Sequence, residues 1–170
     1  TVVSVRTRGD LHRRSDRRGE LVVQSGKVRG GTSPLFSMTG DSVLYVYDVD
    51  VESVEDGGQV ISALAAAALT SAAVIESRGG LWRANSTSPM VQLQGGGASA
   101  PQFLIHSTRA NNQGAADLLQ FQDCTVILVD VNFRQNANPH DVINVTAAAI
   151  GTQFQWKGYC FFDLQTGGVG

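Results

Sequence analysis

Apolar and polar residues alternate with a period of two along most of the chain. The pattern is clearest over residues 118–136, LLQFQDCTVILVDVNFRQN. Two apolar stretches, 118–121 and 126–133, flank a polar QDCT break and close on Arg134-Gln135-Asn136. The second stretch alternates, with Ile127, Val129, Val131 and Phe133 predicted to point one way and Leu128, Asp130 and Asn132 the other. Period two with β-branched residues predicts strand rather than helix. The same logic over residues 43–51 predicts Val43, Tyr45, Tyr47, Val49 and Val51 inward, with Asp48 and Asp50 outward.

A landmark recurs from residue 20 onward: a polar turn, usually opened by Arg, then a new apolar run. Arg29-Gly30-Gly31 leads through Thr32-Ser33-Pro34 to Leu35-Phe36. Arg83-Ala84-Asn85 leads through Thr87-Ser88-Pro89 to Met90-Val91. Arg109-Ala110-Asn111 leads to Leu118-Leu119, and Arg134-Gln135-Asn136 to Val142-Ile143. Glu55-Asp56-Gly57-Gly58 and Asp163 fill the same slot elsewhere, so the spacings are 26, 28, 26, 25 and about 29. A period in the twenties with about three short strands per period is the signature of a solenoid. One such coil cannot bury its inward face alone, but coils stacked at about 4.8 Å pair every strand with the one above and build a continuous apolar column. Asn at the turns suits this, since it tolerates left-handed backbone. Residues 61–76, ISALAAAALTSAAVIE, favour helix by propensity and predict a helical or irregular insertion. The rival architecture is an antiparallel β-sandwich, which also has short strands every eight to twelve residues.

Residues 117–136 and 141–163 (DVINVTAAAIGTQFQWKGYCFFD) resemble coils of right-handed parallel β-helices, as in pectate-lyase-like enzymes and phage tailspikes and head fibres. The resemblance is one of coil pattern and covers residues 20–163. It implies an all-β fold, a short right-handed parallel β-helix of about six coils, and homotrimerisation.

Composition adds an asymmetry. Residues 1–18 hold Arg6, Arg8, Arg13, Arg14, Arg17 and Arg18 against Asp10 and Asp16, and the remainder holds seven basic and thirteen acidic residues. Residues 1–19 therefore read as a basic N-terminal arm, a solvated terminus or a dock for an acidic partner, and residues 20–170 as the β-helix domain. Arg8-Gly9-Asp10 spells an integrin tripeptide, a three-residue signal of little weight. Cys124 and Cys160 read as small core residues rather than a disulfide. The two sequons, Asn85-Ser86-Thr87 and Asn144-Val145-Thr146, matter only on a eukaryotic secretory route. The longest low-polarity run, residues 60–75, is too short and too rich in Ser, Thr and Ala to span a membrane. A basic patch with aromatics, as nucleic acid requires, is missing, because the arm has no aromatic. No cofactor or metal is expected: the two Cys and His12, His106 and His140 have no ligand spacing, and Gly95-Gly96-Gly97 opens no phosphate loop.

Two sets of residues carry candidate chemistry. An enzyme on this scaffold would use outward carboxylates, and Asp48, Asp50, Glu76 and Asp130 are the conceivable catalytic column. The second set is Arg83, Arg109 and Arg134 with Asn85, Asn111, Asn136 and Trp82. Stacked on one edge, guanidinium, amide and indole suit sugars through hydrogen bonds and ring stacking. Their structural alternative is to satisfy corner carbonyls and to pair with Asp117, Asp123 or Asp141.

The function expected is a spike, fibre or decoration module on the surface of a virus particle, a phage first among candidates, with host-surface polysaccharide as a ligand. About six coils leave little room for a long substrate groove, so the balance leans away from an enzyme. Apolar outward strips, with Leu44, Val46 and Leu128 as candidates, would be covered by homotrimerisation, and the arm would dock on other virion proteins. A polysaccharide lyase or glycoside hydrolase and a secreted solenoid adhesin are the alternatives.

Overall fold

The computed structural model describes residues 4–6, 20–30, 34–53, 59–63, 69–85, 87–96, 100–135, 140–146 and 151–164. Runs rich in Val, Ile, Phe and Gln, broken by Gly, Asp and Ser, form short strands and no helix among these residues. In chain order they are β1 (Ser4–Arg6), β2 (Glu20–Gly30), β3 (Phe36–Ser37), β4 (Val43–Ser53), β5 (Ile61–Ala63), β6 (Val74–Arg78), β7 (Leu81–Ala84), β8 (Val91–Gln94), β9 (Gln102–His106), β10 (Arg109–Asn112), β11 (Leu119–Gln122), β12 (Thr125–Val129), β13 (Asn132–Gln135), β14 (Ile143–Val145), β15 (Gln153–Lys157) and β16 (Phe161–Leu164).

The strands pair in parallel with the strand one circuit earlier and one circuit later. One column runs β3-β5-β8-β11-β14. A second runs β4-β6-β9-β12-β15 and a third β4-β7-β10-β13-β16, with the long β4 belonging to both and β2 pairing along its whole length. Among the described strands only β1 is antiparallel, on Val22 to Gln24 of β2. The antiparallel sandwich is thereby set aside, and the parallel, curled sheet is compatible with a solenoid.

Inward positions stack like on like. Ile61, Val91 and Leu119 are in register in the first column, Ile75, Phe103 and Val126 in the second, and Trp82, Ala110 and Phe133 in the third. All nine are buried. Phe103 and Phe121 meet across the core with ring centroids 5.3 Å apart. This continuous column is the hydrophobic driving force for the fold.

The in–out phase differs from the one expected. Leu44 and Val46 are buried, Tyr45 and Tyr47 are half-exposed, and Val49 and Val51 are buried again. Between them stands Asp48 with φ 52°, a left-handed residue that turns the chain from the second column to the third and shifts the alternation by one. The same reset recurs at Asp130, φ 51°. Val126 and Leu128 face in before it, and Val131 and Phe133 after it. The inward assignments of Val43, Tyr45, Tyr47, Ile127 and Val129, and the outward ones of Leu44, Val46 and Leu128, are corrected accordingly. Ser25, Gly79, Ser107 and Gly158 hold the equivalent corner with positive φ.

Residues 61–76 also depart from expectation. Their ends are strands β5 and β6, because Ile61 and Ile75 are needed in the inward columns. Leu69, fully buried, bridges Gly40 and Gly95; residues 64–68 lie outside the described residues. Cys124 is buried and Cys160 half-buried, and both are free thiols.

Candidate ligand-binding face

Arg83, Arg109 and Arg134 do not open turns. They lie on β7, β10 and β13 of the third strand column, where a period of two sends alternate residues outward. Trp82 and Arg83 are neighbours, so they face opposite ways. Trp82 is wholly inside the core, and its indole Nε1 has no hydrogen-bond partner there. It is therefore withdrawn from the surface set.

Two outward rows remain. In one, Glu52, Arg83, Asn111, Arg134 and Asp163 lie in register on successive circuits. In the other, Leu81, Arg109, Asn132 and Phe161 do. Arginine thus alternates with amide instead of stacking on arginine, which spares the sheet like-charge repulsion between rungs. Arg83 and Arg134 are two rungs apart, about 10 Å at the usual strand spacing, with Arg109 on the rung between. Leu81, Arg109, Ala110, Asn111, Asn132 and Arg134 line a shallow cavity of about 220 Å³.

Acidic residues close the ends of this face. Arg134 Nε pairs with Asp163 at 3.1 Å, and Lys27 pairs with Glu52 at 2.7 Å. Both pairs are partly exposed and contribute little to stability. Arg83 and Arg109 are exposed and make no ion pair among the described residues. Two free guanidiniums beside Asn111 and Asn132 give a face that offers donors in forks and favours an anion. Asn85 is exposed just past β7, and Asn136 lies outside the described residues. Arg6 ends β1; Arg8, Arg13, Arg14, Arg17 and Arg18 lie outside the described residues. Of the three acids named above as structural partners, none meets these arginines. Asp117 instead accepts from Asp141 N at 2.9 Å and Asn144 Nδ2 at 2.7 Å, and Asp123 from Gly151 N at 2.8 Å.

Asp48, Asp50, Glu76 and Asp130 do not form one column. Asp48 and Asp130 share the left-handed corner but stand three circuits apart, about 14 Å. Glu76 is outward on β6 and holds Arg78 Nε at 2.5 Å. Asp50 accepts from Leu81 N at 3.0 Å, and Asp130 from Tyr159 N at 2.8 Å. These two carboxylates bind one circuit to the next through the backbone. Asp48 lies over Gly79, where an added Cβ would fall 2.3 Å from its Oδ1.

The outward face of the first column is a further polar surface, absent from the expected sites. Gln92, Gln94, Gln120 and Gln122 project there from β8 and β11. The signal was present: Val91-Gln92-Leu93-Gln94 and Leu119-Gln120-Phe121-Gln122 are the same apolar–Gln phrase one circuit apart. Among the described residues no three His, Cys, Asp or Glu converge as metal ligands would. No family model, curated protein or solved structure matches the chain.

Proposed function

We propose that the chain is a right-handed parallel β-helix of about six coils that serves as a non-catalytic spike, fibre or decoration module on a virus particle. Its outward arginine face binds acidic glycan on the host surface. Handedness follows from the parallel crossovers, which are right-handed in about 98 % of cases. The observation that carries the binding role is the pair of exposed guanidiniums, Arg83 and Arg109, unpaired among the described residues and flanking the Asn111 and Asn132 amides. The virion setting is drawn from the coil pattern of residues 117–136 and 141–163. In it, residues 1–19, with six arginines, dock as a basic arm on an acidic particle protein. A homotrimer forms through the outward face of the second column, where Tyr45, Tyr47, Leu104, Ile127 and Val129 are all half-exposed.

The test is titration of the full chain with acidic and neutral polysaccharides, with mass measured by light scattering alongside. Each guanidinium contributes about 1–1.5 kcal/mol to an anion it contacts, so Arg83→Ala with Arg109→Ala weakens binding roughly 30- to 150-fold. Acidic polymers bind, and binding falls with salt. Equal binding by the double variant sinks the site. A falling viscosity in the mixture would replace the module by a lyase or hydrolase.

A further inference from the structure

The outward face of the first column is built differently from the arginine face. Its two central rungs carry glutamines, Gln92 and Gln120 in one row and Gln94 and Gln122 in the next, each pair in register, with Ser62 and Asn144 on the rungs flanking the first row. Gln59 Nε2 donates to Gln92 Oε1 at 2.9 Å, and Gln92 Nε2 donates to Gln120 Oε1 at 2.7 Å. The ladder therefore runs in one direction. Gln92, in the middle, donates with one N–H and accepts at one lone pair, while Gln120 only accepts. An amide has two N–H and two lone pairs, so Gln92 keeps one of each available and Gln120 keeps both N–H and one lone pair. In the neighbouring row Thr146 Oγ1 donates to Gln122 Oε1 at 3.3 Å, while the Gln94 side chain has no partner among the described residues. Gln92, Gln94, Gln120, Gln122 and Thr146, together with the buried Leu93 and Phe121, line a small cavity of about 120 Å³.

No Lys, Arg, Asp or Glu lines this cavity, and its one aromatic, Phe121, is fully buried. A nucleic acid or acidic polymer needs cations. A protein partner is anchored by buried aromatic or Arg side chains. What an array of paired donors and acceptors matches is hydroxyl groups, which also donate and accept at one atom. The rungs repeat at about 4.8 Å, close to the advance of one sugar in an extended chain, so successive sugars meet successive amide pairs. We infer that this face binds a neutral, hydroxyl-rich polysaccharide laid along the stacking direction across Gln92, Gln94, Gln120 and Gln122. The ladder fixes the Gln92 and Gln120 rotamers before the ligand arrives, which lowers the entropy cost of binding. The site lies on another column from the arginine face and works independently of it.

The experiment is affinity electrophoresis of the full chain through gels containing dextran, galactomannan, mixed-linkage β-glucan or arabinoxylan, at low and high salt. At least one extended neutral polymer retards the chain equally at both salts. Gln94→Ala with Gln122→Ala weakens that retardation at least tenfold, and Arg109→Ala leaves it unchanged. Gln94→Glu, which keeps the side-chain volume but removes the donor, weakens it in the same gel and guards against misfolding of the double variant. The inference is overturned by any of three results: no retardation across the panel, retardation that fades with salt, or retardation that survives the glutamine changes. Loss of acidic-glycan binding without loss of this retardation would remove the arginine site alone.

Discussion

Gly80 is where the spacing between adjacent circuits can be tested most directly. Its φ is +79°, and an added Cβ would fall 2.2 Å from Val49 O and 2.9 Å from Val49 C. Both are backbone atoms of a buried strand, so neither can swing away. Two costs follow for Gly80→Ala. Left-handed backbone costs a non-glycine residue about 1–2 kcal/mol. Overpacking against a fixed wall adds about 1–3 kcal/mol. The total is about 2–5 kcal/mol, which at this chain length lowers Tm by about 4–20 °C. Gly151 is the internal control, since it has φ +76° and nothing within 4 Å of the added Cβ. Gly151→Ala pays only for the backbone, about 1–2 kcal/mol. The assay is thermal and urea unfolding of both variants followed by circular dichroism. If Gly80→Ala and Gly151→Ala destabilise equally, the close contact between the β7 turn and β4 is not there, and the stacking described above is wrong at that rung.

Three further outcomes are expected. The two tryptophans differ sharply, Trp82 being 0 % and Trp156 53 % exposed; iodide should quench one red-shifted component and leave a blue one, and Trp156→Phe should abolish the quenchable part, whereas equal quenching of both would contradict the burial of Trp82. Burial pushes the Cys124 thiol up to about 11, so only Cys160 should react with a thiol reagent until denaturant is added. Below the ordinary thiol range, both folded and unfolded chains keep that proton. Above it only the unfolded chain releases it, so stability should fall by about 2–3 kcal/mol as pH rises towards 11. Cys124→Ala should flatten that slope, and an unchanged slope would refute the assignment.

Strand content and the circuit of residues 118–136 were legible because period-two alternation and a repeat in the twenties are imposed by burial itself. The phase within long runs was not. Val43 to Val51 reads as one alternation on paper, but Asp48 spends its backbone on a corner, and a one-residue shift there inverts every side chain before it. Trp82 went astray for a related reason: adjacency to Arg83 in sequence means opposite faces in a strand. The Arg-x-Asn phrase located the right surface, since Arg109, Asn111 and Arg134 share one cavity. It misjudged the element, because a polar strand facing solvent looks like a turn when its inward partners are Ala84, Ala110 and Gln135. Gln135 is buried and donates to the Ala116 carbonyl, and Asn112 donates to the same carbonyl at 2.9 Å. Hydropathy alone cannot foresee amides that serve inside the wall.

The left-handed corner has a bearing on how such a chain can change over generations. Because orientation is re-established at that point on every lap, a slip or insertion on one flank need not propagate to the other. Growth by whole laps, or trimming of a surface excursion, then leaves the remaining side chains facing as before. A chain of this design can be lengthened or shortened piecemeal, each piece answering only to its immediate neighbours.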